Sequence, residues 1–223
     1  MKDYHMFCRQ CQETAGCSGC TVSGVCGKKP ATAALQDGLI YSVAGLAELL
    51  TAMRERELPV EEKLNDLVAE DLFVTITNAN FDDDRIRQQI LETQRTKAEI
   101  FASFPELAHR AQAETLSPAA WWTAEETSHP AMGLLTEENE DAASLRELIL
   151  YGLKGMAAYR KHAKTLGYRE ESLDAFLQKA LAAAAGSQDT EELTALALET
   201  GKYGVEAMAL LDRANTETYG NPE

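Results

Sequence analysis

The 223-residue chain has no cysteine after position 26 and no uninterrupted apolar run long enough to cross a bilayer as a helix. It is short of positive charge. Lys+Arg number 21 against 36 Asp+Glu, a formal net charge of −15. Nucleic-acid binding needs a basic face, and docking on an anionic membrane needs the same, so both are disfavoured. The opening residues MKDYHMFCRQCQ lack the apolar stretch of a secretory leader, and the cytoplasm is the expected compartment. No P-loop, G-x-G-x-x-G or H-E-x-x-H occurs. Hydrophobic residues at 45% and charged residues at 26% give the balance of a folded protein, so disorder is not expected.

What is present is concentrated at the start. Five cysteines, Cys8, Cys11, Cys17, Cys20 and Cys26, fall within the first 26 residues. Disulfides would tie distant segments together, and an odd count leaves one thiol unpaired, so clustered metal ligands fit better in a reducing compartment. Two ligand sets suit the spacing. One is Cys8-x2-Cys11-x8-Cys20-x5-Cys26. The other is Cys8-x2-Cys11-x5-Cys17-x2-Cys20, a paired arrangement suited to zinc. Small residues between them, among them Gly16, Gly19, Gly24 and Gly27, let a loop wrap closely round a metal and aim N–H groups at sulfur. Spacing alone leaves iron–sulfur and zinc open.

From Ala31 the pattern turns helical. Leu35, Leu39, Val43, Leu46, Leu50 and Met53 mark one helix over about 31–56. Pro59 suits the first turn of a second, which carries Leu64, Leu67, Val68, Leu72 and Phe73. The stretch 73–77 is β-prone but short. Asp82 to Asp84 opens a third helix through Ile86, Ile90 and Ile100. Pro105, Pro118 and Pro130 break the next segment, which also holds Trp121 and Trp122. It reads as a linker across the surface with short helices. Two further stripes follow, over 145–166 and 173–181. A last helix opens on Asp189 with Glu192, the pattern of a capping box. Gly155, Gly201 and Gly204 inside these helices point to close helix–helix approach. The expected fold class is all-α: two three-helix bundles joined by a linker, with an N-terminal cysteine-rich cluster-binding loop. The expected divisions are 1–30 for the loop, 31–103 for the first bundle, 104–136 for the linker and 137–223 for the second bundle.

Other polar groupings carry less. Glu106-x-x-His109 is one such pair where a carboxylate di-iron bundle needs two, so it reads as a surface pair. His5, His129 and His162 have no evident partner in sequence. The run Glu137-Glu138-Asn139-Glu140-Asp141 reads as the solvated start of a helix.

The segments Met6-Phe7-Cys8-Arg9-Gln10-Cys11-Gln12-Glu13-Thr14-Ala15, Gly19-Cys20-Thr21-Val22 and Gly24-Val25-Cys26-Gly27-Lys28 resemble the N-terminus of the hybrid-cluster (prismane) proteins, also called hydroxylamine reductases. Thr75-Ile76-Thr77-Asn78-Ala79-Asn80, Ser144-Leu145-Arg146-Glu147-Leu148 and Thr218-Tyr219-Gly220-Asn221-Pro222-Glu223 extend the likeness along the chain. The resemblance implies a first domain of two three-helix bundles with a [4Fe-4S] cluster on Cys8, Cys11, Cys20 and Cys26. It implies that the catalytic hybrid cluster sits in later domains, which would leave this chain without the catalytic site. Cys17 falls where the family usually has a residue other than cysteine, and its three readings are a spare thiol, an alternative ligand or an intermolecular link, the first being favoured. An electron-transfer role follows, with a redox partner protein or the catalytic domains as the other party. A homodimer or a dedicated partner is expected to cover any apolar face left bare. The reading from a different class is a helical interaction module with a structural zinc site.

Overall fold

The computed structural model describes residues 6–76, 80–109, 115–132 and 139–221. Six long helices carry the fold: α1 (Pro30–Glu55), α2 (Glu62–Val74), α3 (Asp83–Ser103), α5 (Glu140–Thr165), α6 (Glu171–Ala185) and α7 (Thr190–Tyr219). A one-turn helix, α4 (Pro118–Trp121), lies between the two triplets. Among the described residues there is no strand, only an isolated bridge between Cys8 and Cys20. The all-α expectation holds.

Helix starts follow local chemistry. The Asp82 carboxylate accepts from the N–H groups of Asp84 and Arg85, capping α3. Asp189 and Glu192 form the expected capping box at α7. Two expectations fail. Pro59 lies outside α2, which begins at Glu62 with Glu61 as its cap residue. Phe73 lies in that helix, as its spacing implied, and Val74, from the stretch read as β-prone, completes its last turn, because Val74 packs with Leu35, Leu39, Ile86 and Ile90. Tertiary burial overrides β-propensity there. Residues 77–79 lie outside the described residues.

The main core spans both triplets, with a smaller cluster of Leu35, Leu39, Val74, Ile86, Ile90 and Trp122 beside it. One apolar cluster runs from Leu46, Leu50 and Met53 of α1 through Val68 and Leu72 of α2 to Ile149 and Leu153 of α5, Leu177 of α6 and Leu210 of α7. Buried polar groups cross the same joint. Arg160 of α5 pairs with Asp174 of α6 and, at 2.9 Å, with Asp66 of α2. Arg54 of α1 donates to Gln178 of α6 at 2.9 Å and to Asn65 of α2 at 3.0 Å.

The expected surface linker is partly interior. Ala119, Ala120 and Trp122 are buried. Gly45 allows this: a Cβ at that position would stand 2.1 Å from the Ala119 carbonyl oxygen. Lys97, itself buried, donates to that carbonyl at 2.8 Å. Trp121 stacks on Phe101 with ring centroids 4.5 Å apart, so both tryptophans serve packing.

The glycine expectation is corrected as well. Gly152 makes the close approach between α5 and α7, since a Cβ there would lie 2.6 Å from Thr200 Cγ2. Around Gly155, Gly201 and Gly204 nothing lies within 4 Å of the added carbon.

Candidate metal centre

The loop before α1 is built on its own cysteines. The Cys8 N–H donates to the Cys20 carbonyl at 3.1 Å, and the Cys20 N–H returns a bond to the Cys8 carbonyl at 2.8 Å. This two-bond bridge pins the loop between them, whose far end is a turn of 3-10 helix over Ala15–Cys17. Gly16 and Cys17 both take positive φ there, +60° and +56°. Gly19 leaves room for Phe7, whose ring would stand 2.6 Å from an added Cβ. A second turn is closed by the Gly24 N–H to the Lys28 carbonyl at 2.8 Å and the Gly27 N–H to the Gly24 carbonyl at 2.9 Å. Cys26 sits inside that turn, its Sγ 3.0 Å from where a Cβ on Gly24 would be.

Burial sorts the five thiols. Cys20 is buried with Met6 and Ala33, and Cys8 packs against this small cluster. Cys11 and Cys26 are half-buried, and Cys17 is exposed. All five are free, so the donor set available is all sulfur, the soft set that iron–sulfur clusters and zinc take. Among the described residues, however, no three His, Cys, Asp or Glu side chains converge with the geometry of a metal site. The loop brings the thiols into one neighbourhood without drawing them onto one point.

Around the loop lies a set of buried charges. Lys28, almost wholly buried, places Nζ 3.7 Å from Cys8 Sγ. Burial pushes the Cys8 thiol up, and the Gln10 N–H and Lys28 partly oppose it. Lys154 reaches in from α5. Its ammonium donates to the Gln10 side-chain oxygen and, at 3.2 Å, to the Thr75 carbonyl. Burial lowers Lys154 to about 8, with Glu147 opposing. Desolvation and then Glu147 raise Asp37 to about 7, and burial also raises Glu147. Gln10, Asp37 and Glu147 share a cavity of about 300 Å³ with Tyr41 and Leu150, walled by α1, α5 and α6.

The cysteine loop was legible in the sequence; Lys28, Asp37, Glu147 and Lys154 were not singled out as site residues. Lys154 carried a signal. It falls four residues after Leu150 and three before Ala157, a cation on the apolar face of its helix. Glu106 and His109 are both exposed, as a surface pair would be. His129 stacks on Tyr41 at 4.8 Å, and His162 meets Phe73 edge-on at 6.1 Å. His5 and Glu137 to Glu138 lie outside the described residues.

An all-helical body with a reduced, cysteine-built loop packed on its first helix defines the class. The model of the Prismane/CO dehydrogenase family matches residues 6–223. A hydroxylamine reductase of Desulfovibrio desulfuricans is 51% identical over 98% of this chain and 40% of its own length. Hydroxylamine reductase 2 of Clostridium acetobutylicum is 48% identical, over 98% of this chain and 42% of its own length. The hydroxylamine reductase of Porphyromonas gingivalis strain W83 is 46% identical, over 98% and 40%. The chain belongs to the Prismane/CO dehydrogenase family. It spans about two fifths of the length of these curated relatives. Among the described residues no helix is long and apolar enough to cross a membrane.

Proposed function

We propose that this chain is an iron–sulfur electron-transfer unit, with a [4Fe-4S] cluster held by Cys8, Cys11, Cys20 and Cys26. The observation that carries the reading is the sorting of the thiols: those four are buried or half-buried while Cys17 stands exposed at positive φ. The Cys8–Cys20 backbone bridge sets two of the four side by side. Such a cluster supplies one-electron transfer at a potential set by burial, nearby charge and hydrogen bonds to sulfur. Lys28 donates toward the Cys8 sulfur, and with Lys154 it brings positive charge to a protein of net charge −15. Both ammonium groups favour the more anionic, reduced state and so raise the potential that the rest of the chain depresses.

Hydroxylamine reduction is what the names of the relatives assign to those proteins. For this chain the proposal is electron relay, to or from a redox partner or a catalytic portion such as the longer relatives have room for. Five free thiols suit a reducing compartment, and the cytoplasm is the proposed location. Zinc on Cys8, Cys11, Cys17 and Cys20 is the competing assignment, and it requires the exposed Cys17 to turn inward.

The test is the iron, zinc and acid-labile sulfide content of anaerobically purified protein. About four iron and four sulfide per chain are expected. Cys26→Ser should lose them, and Cys17→Ser should keep them. Zinc without sulfide, lost on Cys17→Ser but kept on Cys26→Ser, would overturn the reading.

A further inference from the structure

The cavity beside the cysteine loop holds acids that thiolate ligation does not use. Asp37 of α1 and Glu147 of α5 both line it, with Gln10 of the loop at one wall. Both acids are half-buried, so water reaches them through the cavity. Among the described residues no hydrogen bond or ion pair occupies either carboxylate. A carboxylate without a donor, facing a second carboxylate in a desolvated site, has a raised proton affinity.

The charges around the pair run from the cavity to the loop. Lys28 and Lys154 face both carboxylates across space, Glu147 faces Asp37, and Arg9 faces Glu147. Lys28 also lies against Cys8 Sγ, and Lys154 holds Gln10. The charge of Asp37 acts in turn on the Cys8 thiol. Other wall groups are committed elsewhere or neutral. Arg146 donates to the carbonyls of Ala184 at 2.6 Å and Gln188 at 3.2 Å. Burial pushes Tyr41 above its usual range, and α6 presents only Leu181, Ala184 and Ala185.

We infer, on the reading that the loop holds a cluster, that this cavity is its proton port: one electron arriving at the loop is accompanied by one proton from solvent arriving at the Asp37 carboxylate. With all four ionised, the two carboxylates offset the Lys28 and Lys154 ammonium groups. An added electron puts one more negative charge beside them, where desolvation weakens screening, and this disfavours an ionised acid. Asp37 is the acceptor because burial and Glu147 already bring it to about 7. The step balances. A one-electron carrier is oxidised by one electron, the cluster is reduced by one, and one O–H bond forms on Asp37 with a proton given up by water or buffer.

Redox titrations of cluster-loaded protein between pH 6 and pH 9, followed by electron paramagnetic resonance, test this. Iron, zinc and sulfide are measured first. Zinc without sulfide would overturn the cluster reading and this inference together, whereas loaded protein tests the inference by itself. In the loaded parent the midpoint potential should fall as pH rises, by up to about 59 mV for each tenfold fall in proton concentration. Asp37→Asn, which keeps the shape of the protonated acid, should retain the iron and flatten that fall. Glu147→Gln should keep the fall but move it to lower pH, because the like charge facing Asp37 is gone. A potential independent of pH in the loaded parent would overturn the inference, as would a fall that survives Asp37→Asn. Where Asp37→Asn does not hold the cluster, Glu147→Gln decides, and a fall left at the parental pH would overturn the role of Asp37.

Discussion

The ammonium of Lys154 donates to the side-chain oxygen of Gln10, 144 residues away in sequence. Through this bond the first helix of the second triplet grips the loop between Cys8 and Cys11. The same ammonium holds the Thr75 carbonyl at the end of α2. One buried cation therefore fastens three separate parts of the chain at the cysteine loop.

Lys154→Met tests that fastening. The substitution keeps most of the volume and leaves the Gln10 oxygen and the Thr75 carbonyl without this donor. An unsatisfied buried polar group costs about 1–3 kcal/mol, so a loss in that range is expected by urea denaturation. A variant as stable as the parent would show that the contact carries no net energy.

Asp37 gives stability a pH dependence of defined sign. Its folded pKa, about 7, lies above the model-peptide value of 3.8. The folded protein then binds more protons than the unfolded chain between those values. Its contribution is complete below the unfolded pKa and is lost as pH rises towards 7. Glu147, Asp71 and Asp174 are raised in the same direction by burial. Melting temperature should fall from pH 4 to pH 7, and Asp37→Asn should make the fall shallower. A profile unchanged by that substitution would refute the assignment.

Arg160 is the buried cation of the interior joint. It faces Asp174 and Asp66, and only 3% of its side chain is exposed. Removing one partner of a buried pair costs about 3–5 kcal/mol, because the remaining charge is stranded. Arg160→Ala should show a loss of that order. Lysine should recover only part of it, since an ammonium cannot form the two-pronged contact with the Asp174 carboxylate.

Two glycine-to-alanine changes should act in opposite directions. Gly45→Ala drives a methyl group into the Ala119 backbone and should destabilise the free chain by about 1–3 kcal/mol. Gly201→Ala meets open space and should stabilise it by up to about 1 kcal/mol. Thermal melts of the two variants side by side would check both signs.

The sequence by itself determined the helices and the chemistry of the loop. Apolar spacing placed α1 within a residue of its observed ends, Pro30 and Glu55, and the caps at Asp82 and Asp189 were readable because a cap is a contact within a few residues. Five cysteines crowded into one segment announced a sulfur donor set for the same local reason. Tertiary structure alone decided what those elements face. Val74 became helix because it is buried with Leu35 and Ile90, and Ala119 became interior because Gly45 admits it. Lys28 reached the Cys8 sulfur, and Lys154 reached Gln10, through space that opens only once the helices have packed. Local rules fix backbone conformation over a few residues, whereas burial and charge pairing depend on neighbours remote in the chain, which a linear pattern does not contain.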